Sequence, residues 1–350
     1  MAKHKNTTEI KHFHDYEGVL FIGDPHAWSK APGKRLDEAI FSQVVLHKLE
    51  QSINIAIKNN LYVVILGDLF HVDNENNINL LTKMIRIFNK LRDPLVSVEG
   101  NHEKKELNLT DDVALTMLRE AGVINTMEHN SLYGCVHLKN GKKVYIGGTP
   151  YGMIIPNKVS LPKEEEDQST PIIWTSHHDL DFGDTYPGVI PVPEIHGAFM
   201  LVNGHIHKTK PPVKVGKTKA HNPGNITRLS IDCKDHVPAV WMWKPELLDE
   251  LEPIALNYEK HVFNLIGKQI EVVAPKQVVA QDLETTVTSK FVEKMKERAI
   301  KNDFRQTSDG VFIKETIKAL GESMGTAPDF IEELLEITEE VISVENNNDI

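Results

Sequence analysis

Short apolar runs rich in β-formers alternate with longer stretches of helical periodicity along the first 207 residues. The runs fall at residues 19–22, 61–66, 95–98, 144–146, 172–174 and 199–202. Between them, Leu36, Ile40, Val44, Leu49, Ile53 and Ile57 recur at intervals of three to five, which predicts a helix over 35–58, and a second is predicted over 76–91. Strands alternating with helices predict an α/β fold. A β-like tail over 220–243 ends at Lys244-Pro245-Glu246, read as a domain edge, so the expected division is 1–245 and 246–350. In the second part, an extended segment over 261–273 precedes helical stripes: Phe291, Met295 and Ala299, then Ile313, Ile317, Leu320 and Met324, then Phe330, Leu334, Ile337 and Val341. The last stripe follows Pro328 and carries Asp329 and Glu332 in its first turn, a favourable helix start.

Five polar clusters each close an apolar run. In order they read Gly23-Asp24-Pro25-His26, Gly67-Asp68-Leu69-Phe70-His71, Gly100-Asn101-His102-Glu103, Ser176-His177-His178 and Gly204-His205-Ile206-His207. A lone Gly-Asp or His-x-His is common by chance, whereas the ordered set is specific. Its placement is the physical point, because loops at the carboxyl ends of strands carry chemistry on a rigid sheet.

Composition narrows the setting. The chain has 350 residues and a net charge of −11, from 39 basic and 50 acidic residues. Residues 251–350 hold 19 acidic against 11 basic side chains, so a nucleic acid would meet the first part of the chain, not the last. The two cysteines, Cys135 and Cys233, give neither a disulfide framework nor a four-thiolate zinc site. The N-terminus is polar, and no apolar run reaches the roughly 20 residues of a membrane span. A cytoplasmic enzyme with no membrane contact is expected.

Cleaving a phosphate ester requires charge neutralisation on the phosphoryl oxygens, an activated water and a proton for the leaving group. Two divalent metals about 3.5–4 Å apart supply the first two. Asp24, His26 and Asp68 offer one metal a mixed carboxylate and imidazole shell, Asn101, His177 and His205 offer the other a more neutral one, and Asp68 is the natural bridge. His207, two residues beyond His205 on an extended segment, completes the set. An oxygen and nitrogen set without thiolate suits manganese, with iron, magnesium and zinc as alternatives. His102 is expected to stay off the metals and to protonate the leaving oxygen. His178 is read either as a group supporting His177 or as a pocket wall. His4, His12, His14, His47, His129, His137, His196, His236 and His261 are read as surface or structural residues.

The clusters resemble the calcineurin-like metallophosphoesterase family, whose pattern runs Asp-x-His, Gly-Asp, Gly-Asn-His-Asp/Glu, a later His and Gly-His-x-His. That resemblance implies a sandwich of two mixed β-sheets flanked by helices, a dinuclear site, and the residue roles just given. The block Gly67 to His71 is similar to the branch of SbcD-type DNA repair exonuclease subunits, as is the later Asn222-Pro223-Gly224-Asn225-Ile226-Thr227-Arg228. The branch implies that His71 handles the nucleotide at the scissile phosphate, the other reading being a hydrogen-bonding support. Glu103 departs from the branch's usual Asp, Ala27-Trp28 stands where Gly or Leu is common, and the Asp-Arg-Gly of protein phosphatases is absent.

Lys208, Lys210, Lys214, Lys217 and Lys219 follow directly on the last block. They hold a DNA backbone beside the metals, or else form a solvated hairpin edge. Lys208, Lys210 and Arg228 are the expected substrate contacts. The expected activity is that of a manganese-dependent DNA exo/endonuclease subunit in repair, recombination or replication. The alternative is a phosphomonoesterase or a small-molecule or protein phosphatase of the same family. The branch further implies a small, mostly helical C-terminal region that caps the site or docks on an SbcC-type coiled-coil ATPase, and a homodimer is a further expected assembly.

Overall fold

This computed structural model describes residues 10–32, 41–104, 109–163, 165, 167, 169–183, 189–259 and 262–263. In chain order the elements are β1 (Lys11–Tyr16), β2 (Gly18–Ile22), α1 (Phe41–Asn59), β3 (Leu61–Ile65), α2 (Ile78–Phe88), β4 (Leu95–Val98), α3 (Ala114–Glu120), β5 (Ile124–Met127) and β6 (Ser131–Leu138). There follow β7 (Lys143–Thr149), β8 (Ile172–His177), β9 (Leu180–Asp181), β10 (Ile190–Pro191), β11 (Met200–Gly204), β12 (Lys210–Val215), β13 (Thr218–Asn222), β14 (Ala239–Trp243) and β15 (Glu252–Ala255). No helix among the described residues is long and apolar enough to cross a membrane.

Two mixed sheets carry the fold, as expected. One has seven strands in the order β1-β6-β7-β8-β11-β13-β12, the other six in the order β15-β14-β2-β3-β4-β5. In the second, β2 to β5 run parallel while β14 and β15 are antiparallel. Side-chain alternation along a strand explains how one strand feeds two cores. Val19 and Phe21 of β2 face a core shared with Val136, Ile146, Ile173 and Val202 of the seven-stranded sheet. Leu20 and Ile22 face α1, α2 and α3 through Leu49, Ile53, Met84 and Leu118. Covered on both faces, β2 and β3 are buried at every position, which is why they read as unbroken apolar runs.

Helix α1 buries Val45, Leu49, Ile53 and Ala56 on one stripe, and α2 starts at Asn77, whose side chain accepts the N–H of Leu80 at 3.1 Å. The region around Lys244-Pro245-Glu246 is a short 3₁₀ turn. The sheet continues beyond it, because β15 pairs antiparallel with β14, so the sheet does not end at residue 245. By contacts the chain divides into one unit of Met1–Thr185 and Val189–Leu265 and a second of Tyr186–Gly188 and Ile266–Ile350. Of the expected capping region, 246–350, the part beyond residue 263 with its helical stripes lies outside the described residues.

Candidate metal centre

All five clusters lie at or just after a strand end: Asp24 and His26 after β2, Asp68 and His71 after β3, Asn101 and His102 after β4, His177 at the end of β8, His205 and His207 after β11. The loops after β2 and β3 are laced together, since His26 N–H donates to the Asp68 carbonyl (2.9 Å), Ala27 N–H to that of Leu69 (2.7 Å) and His71 N–H to that of Ala27 (3.1 Å). Asp24, His26, Asp68 and His205 all hold positive φ, between 38° and 75°. Such backbone persists only where the surroundings over-determine it, and it concentrates at functional sites. Gly67 is required by close approach: a Cβ there would stand 2.3 Å from His177 Nδ1.

The side chains converge on one another. His26 Nε2 lies 2.9 Å from His207 Nε2 and 3.6 Å from Asp68 Oδ2. His177 Nε2 lies 3.2 Å from Asp68 Oδ2 and 3.2 Å from Asn101 Oδ1. His205 Nδ1 lies 3.0 Å from Asn101 Oδ1 and 3.3 Å from His177 Nε2. The outward nitrogens have partners that fix the tautomers. His177 Nδ1 donates to the Leu66 carbonyl at 2.7 Å, and His205 Nε2 donates to Asp179 Oδ2 at 3.0 Å. What remains is a set of ring nitrogens facing one another and carboxylate oxygens.

That set fits divalent metal ions. Two unprotonated imidazole nitrogens in contact repel unless a proton or a cation lies between them. Among the described residues the buried Asp24 Oδ2 has no hydrogen-bond partner, while Asp24 Oδ1 accepts the His205 N–H at 2.7 Å. A buried, orphaned carboxylate oxygen is costly without a positive partner. Two groups of donor atoms lie within 4.8 Å of one another and can each hold an ion: Asp24, His26 and His207, and Asp68, His177 and His205.

Electrostatics point the same way. Burial pushes the Asp24 carboxyl up. Burial also pushes Asp68 up, but His177, His26 and His102 outweigh it and hold that carboxyl well below the usual range. Burial lowers His177, yet Asp68 and Asp24 prevail and raise it to about 9. The carboxylates therefore demand positive charge. Burial keeps His26 and His207 below the ordinary imidazole value, hence neutral and able to donate a lone pair.

His102 lies beside this set. Its N–H donates to Asp68 Oδ1 at 3.0 Å, and its Nδ1 donates to the His71 carbonyl at 2.7 Å, leaving Nε2 turned toward Asp68 Oδ2, 4.0 Å away. The His71 ring stacks on His102 (5.1 Å) and touches Trp28 (4.6 Å), and burial lowers its pKa to about 4. Glu103, fully buried, accepts the Leu69 N–H at 2.7 Å and the Gly100 N–H at 2.9 Å. It ties the second block to the third, which explains why a carboxylate follows His102. His178 is built into the wall, donating through Nε2 to the Met153 carbonyl at 2.7 Å.

The expected substrate contacts fare differently. Lys208 is half exposed, 3.9 Å from Asp232, and Lys210 opens β12. Lys214 pairs with Asp249 at 3.0 Å and Lys219 with Asp249 and Glu250, so these two lysines are matched by acidic neighbours. Arg228 is not brought to the ligand set. Only 3% exposed, its guanidinium donates to the Lys234 and Glu259 carbonyls and stacks on Tyr258. The turn before it stitches the site from below, Asn225 N–H reaching the His207 carbonyl at 2.9 Å and Ile226 N–H that of Gly23 at 3.1 Å. Two residues escaped the motif reading: Asp179, and Tyr151, whose ring lies 5.5 Å from that of His205. Asp179 follows directly on His177-His178, and a carboxylate so close to a strand-end His was its signal.

The profile of the calcineurin-like phosphoesterase family matches residues 18–209, more than half of the chain and every one of the five clusters. The chain belongs to the calcineurin-like phosphoesterase family. It is accordingly a metallophosphoesterase. No curated protein sequence matches the chain. Among solved structures it is similar to a novel archaeal phosphodiesterase, with 14% identity and a TM-score of 0.34 over 68% of this chain and 99% of that one. It is also similar to a 5'-nucleotidase precursor from Thermus thermophilus, with 14% identity and a TM-score of 0.38 over 68% of this chain and 54% of that one. Similarities of that size say nothing of the ester this metallophosphoesterase cleaves.

Proposed function

We propose that this metallophosphoesterase is a two-metal DNA nuclease, using manganese, in which Asp24, His26 and His207 hold one ion, Asn101, His177 and His205 the other, and Asp68 bridges them. Bound there, the ions would neutralise phosphoryl charge and activate a water. The protein's own share is positional. Asp179 and the Leu66 carbonyl orient His205 and His177, as outer partners of metal-bound histidines do. His102, its Nδ1 proton committed to the His71 carbonyl, has Nε2 left to pass a proton to the leaving oxygen.

The observation that carries the choice of DNA is the aromatic flank formed by His102, His71 and Trp28. A bare phosphate monoester has nothing to set against a stacked imidazole pair and an indole, whereas a nucleotide brings a base and a sugar. Lys208 and Lys210, next to His207, support the same reading as backbone contacts. The similarity of the Gly67 to His71 block to SbcD-type subunits supports an SbcC-type coiled-coil ATPase as partner. Co-purification from cells expressing both would retain it, and its consistent absence from the purified enzyme would remove it.

The experiment pairs the full-length protein with His102→Ala, in Mn²⁺, against end-labelled DNA, p-nitrophenyl phosphate and its bis ester. Degraded DNA and bis-ester turnover, both lost with His102, are expected. Rapid monoester turnover with DNA left intact, even with the ATPase added, overturns the nuclease reading.

A further inference from the structure

Far from the motifs in sequence, a second convergence of metal-ligating side chains forms where β1 pairs with β6. The strands run parallel with His12 opposite Cys135 and Phe13 opposite Val136. Alternation therefore sends Phe13 and Val136 into the core between the sheets and places His12, His14, Cys135 and His137 together on the other face. His12 Nδ1 stands 2.9 Å from His137 Nε2, and one donor atom from each of His12, Cys135 and His137 lies within 4.8 Å of the others. The His14 ring stacks on His137 at 4.2 Å.

We propose that His12, Cys135 and His137 bind one zinc-type divalent ion, with water in the fourth position, and that this ion clips the edge strand β1 onto β6. Two imidazole nitrogens and a sulfur form a borderline-soft set that prefers zinc or cobalt to manganese or magnesium, and the sulfur sets this site apart from the dinuclear centre, whose donors are oxygen and nitrogen alone. The short contact between ring nitrogens calls for a shared proton or a cation, and a tetrahedral ion meets that need while spreading the rings slightly. Binding would release the Cys135 thiol proton to solvent.

Lys143 disfavours positive charge at His137, but a carboxylate offsets it. Lys143 lies opposite His137 in the β6–β7 register, but its ammonium is paired with Glu165 at 2.9 Å. Tyr145, opposite Cys135, donates to the same Glu165 at 2.5 Å. Burial pushes the Cys135 thiol up to about 11, and a bound ion reverses that by stabilising the thiolate. Among the described residues, strand β1 is an outer edge of its sheet and pairs only with β6, so a crosslink there holds a strand with a single described neighbour.

Cobalt(II) titration of the full-length, metal-stripped protein tests the site, because thiolate ligation gives a charge-transfer absorption that an oxygen and nitrogen centre does not. The band should saturate at the intensity of one thiolate-bound cobalt per chain, be displaced by zinc, and persist in Asp68→Asn and Cys233→Ser. It should vanish in Cys135→Ser. In His12→Ala, an exposed position that leaves the core intact, cobalt affinity read from the thiolate band should fall by at least about tenfold. No thiolate band in the intact protein, a band surviving in Cys135→Ser, or unchanged affinity in His12→Ala overturns the proposal.

Discussion

His205 and Asp179 form a hydrogen-bonded pair, imidazole Nε2 to carboxylate Oδ2, at 3.0 Å. The pair fixes which nitrogen of His205 carries the proton and aims Nδ1 at Asn101 and His177. Replacing Asp179 with Asn keeps the size but removes the charge that makes the imidazole a better donor. Asp179→Asn is expected to weaken metal binding by about 10- to 100-fold with an unchanged circular dichroism spectrum, as measured by titration of the metal-stripped protein. Saturating metal should restore much of its turnover.

Asp68 differs because its two oxygens serve separate masters. Oδ1 accepts the His102 N–H while Oδ2 faces His177 and His26. Asp68→Asn can keep the first contact and loses the anionic one. Turnover of any phosphodiester should fall by more than about 100-fold, beyond what removing an outer partner costs, and added metal should not rescue it. Steady-state kinetics across a metal series separates this outcome from that of Asp179→Asn.

The His177 imidazole, held at about 9 by Asp68 and Asp24 against burial, competes as a proton with an incoming metal. Below that value the metal must displace the proton, and above it the lone pair is already available. Apparent metal affinity is therefore expected to rise by about tenfold per pH unit up to about 9 and then to level. In the metal-free protein the same shift stabilises the fold: its contribution is full below about 6.5, the unfolded value, and is lost as pH rises through about 9. Calorimetric titrations at several pH values check the first statement, and thermal melts of the stripped protein the second.

Arg228 supports the fold, so its loss should register in stability. Arg228→Met leaves the Lys234 and Glu259 carbonyls without their donor and removes the cation from the Tyr258 face. A destabilisation of about 3 kcal/mol is expected, read from denaturant midpoints, while phosphoester turnover per folded molecule stays the same. A selective loss of turnover at unchanged stability would return Arg228 to the substrate.

The sheet strands β2, β3, β4, β8 and β11 were legible because each is an apolar run closed by a polar cluster, and local pattern alone carries that. The convergence at the candidate site was legible for the same reason: Asp24, Asp68, Asn101, His177 and His205 all stand at strand ends. Strand β1 was not, since its residues His12 and His14 alternate with Phe13 in a segment that reads as a polar N-terminal arm. Only its pairing with β6, more than a hundred residues away, makes it a strand. Arg228 misled because a basic residue after a glycine turn looks alike in sequence whether it points to solvent or into the interior. Glu103 stood out as a departure from the branch's usual Asp, whereas its oxygens serve the backbone N–H groups of Leu69, Phe70 and Gly100, which no sequence pattern displays.

The lacing of the loops after β2 and β3 has a bearing on how the site tolerates change. Because His26, Ala27 and His71 are tied to Asp68, Leu69 and Ala27 through main-chain hydrogen bonds, a backbone shift in one loop strains its bonds to the other. None of these three bonds passes through a side chain, so a single side chain of either motif can be exchanged without unfastening the frame that holds its neighbours.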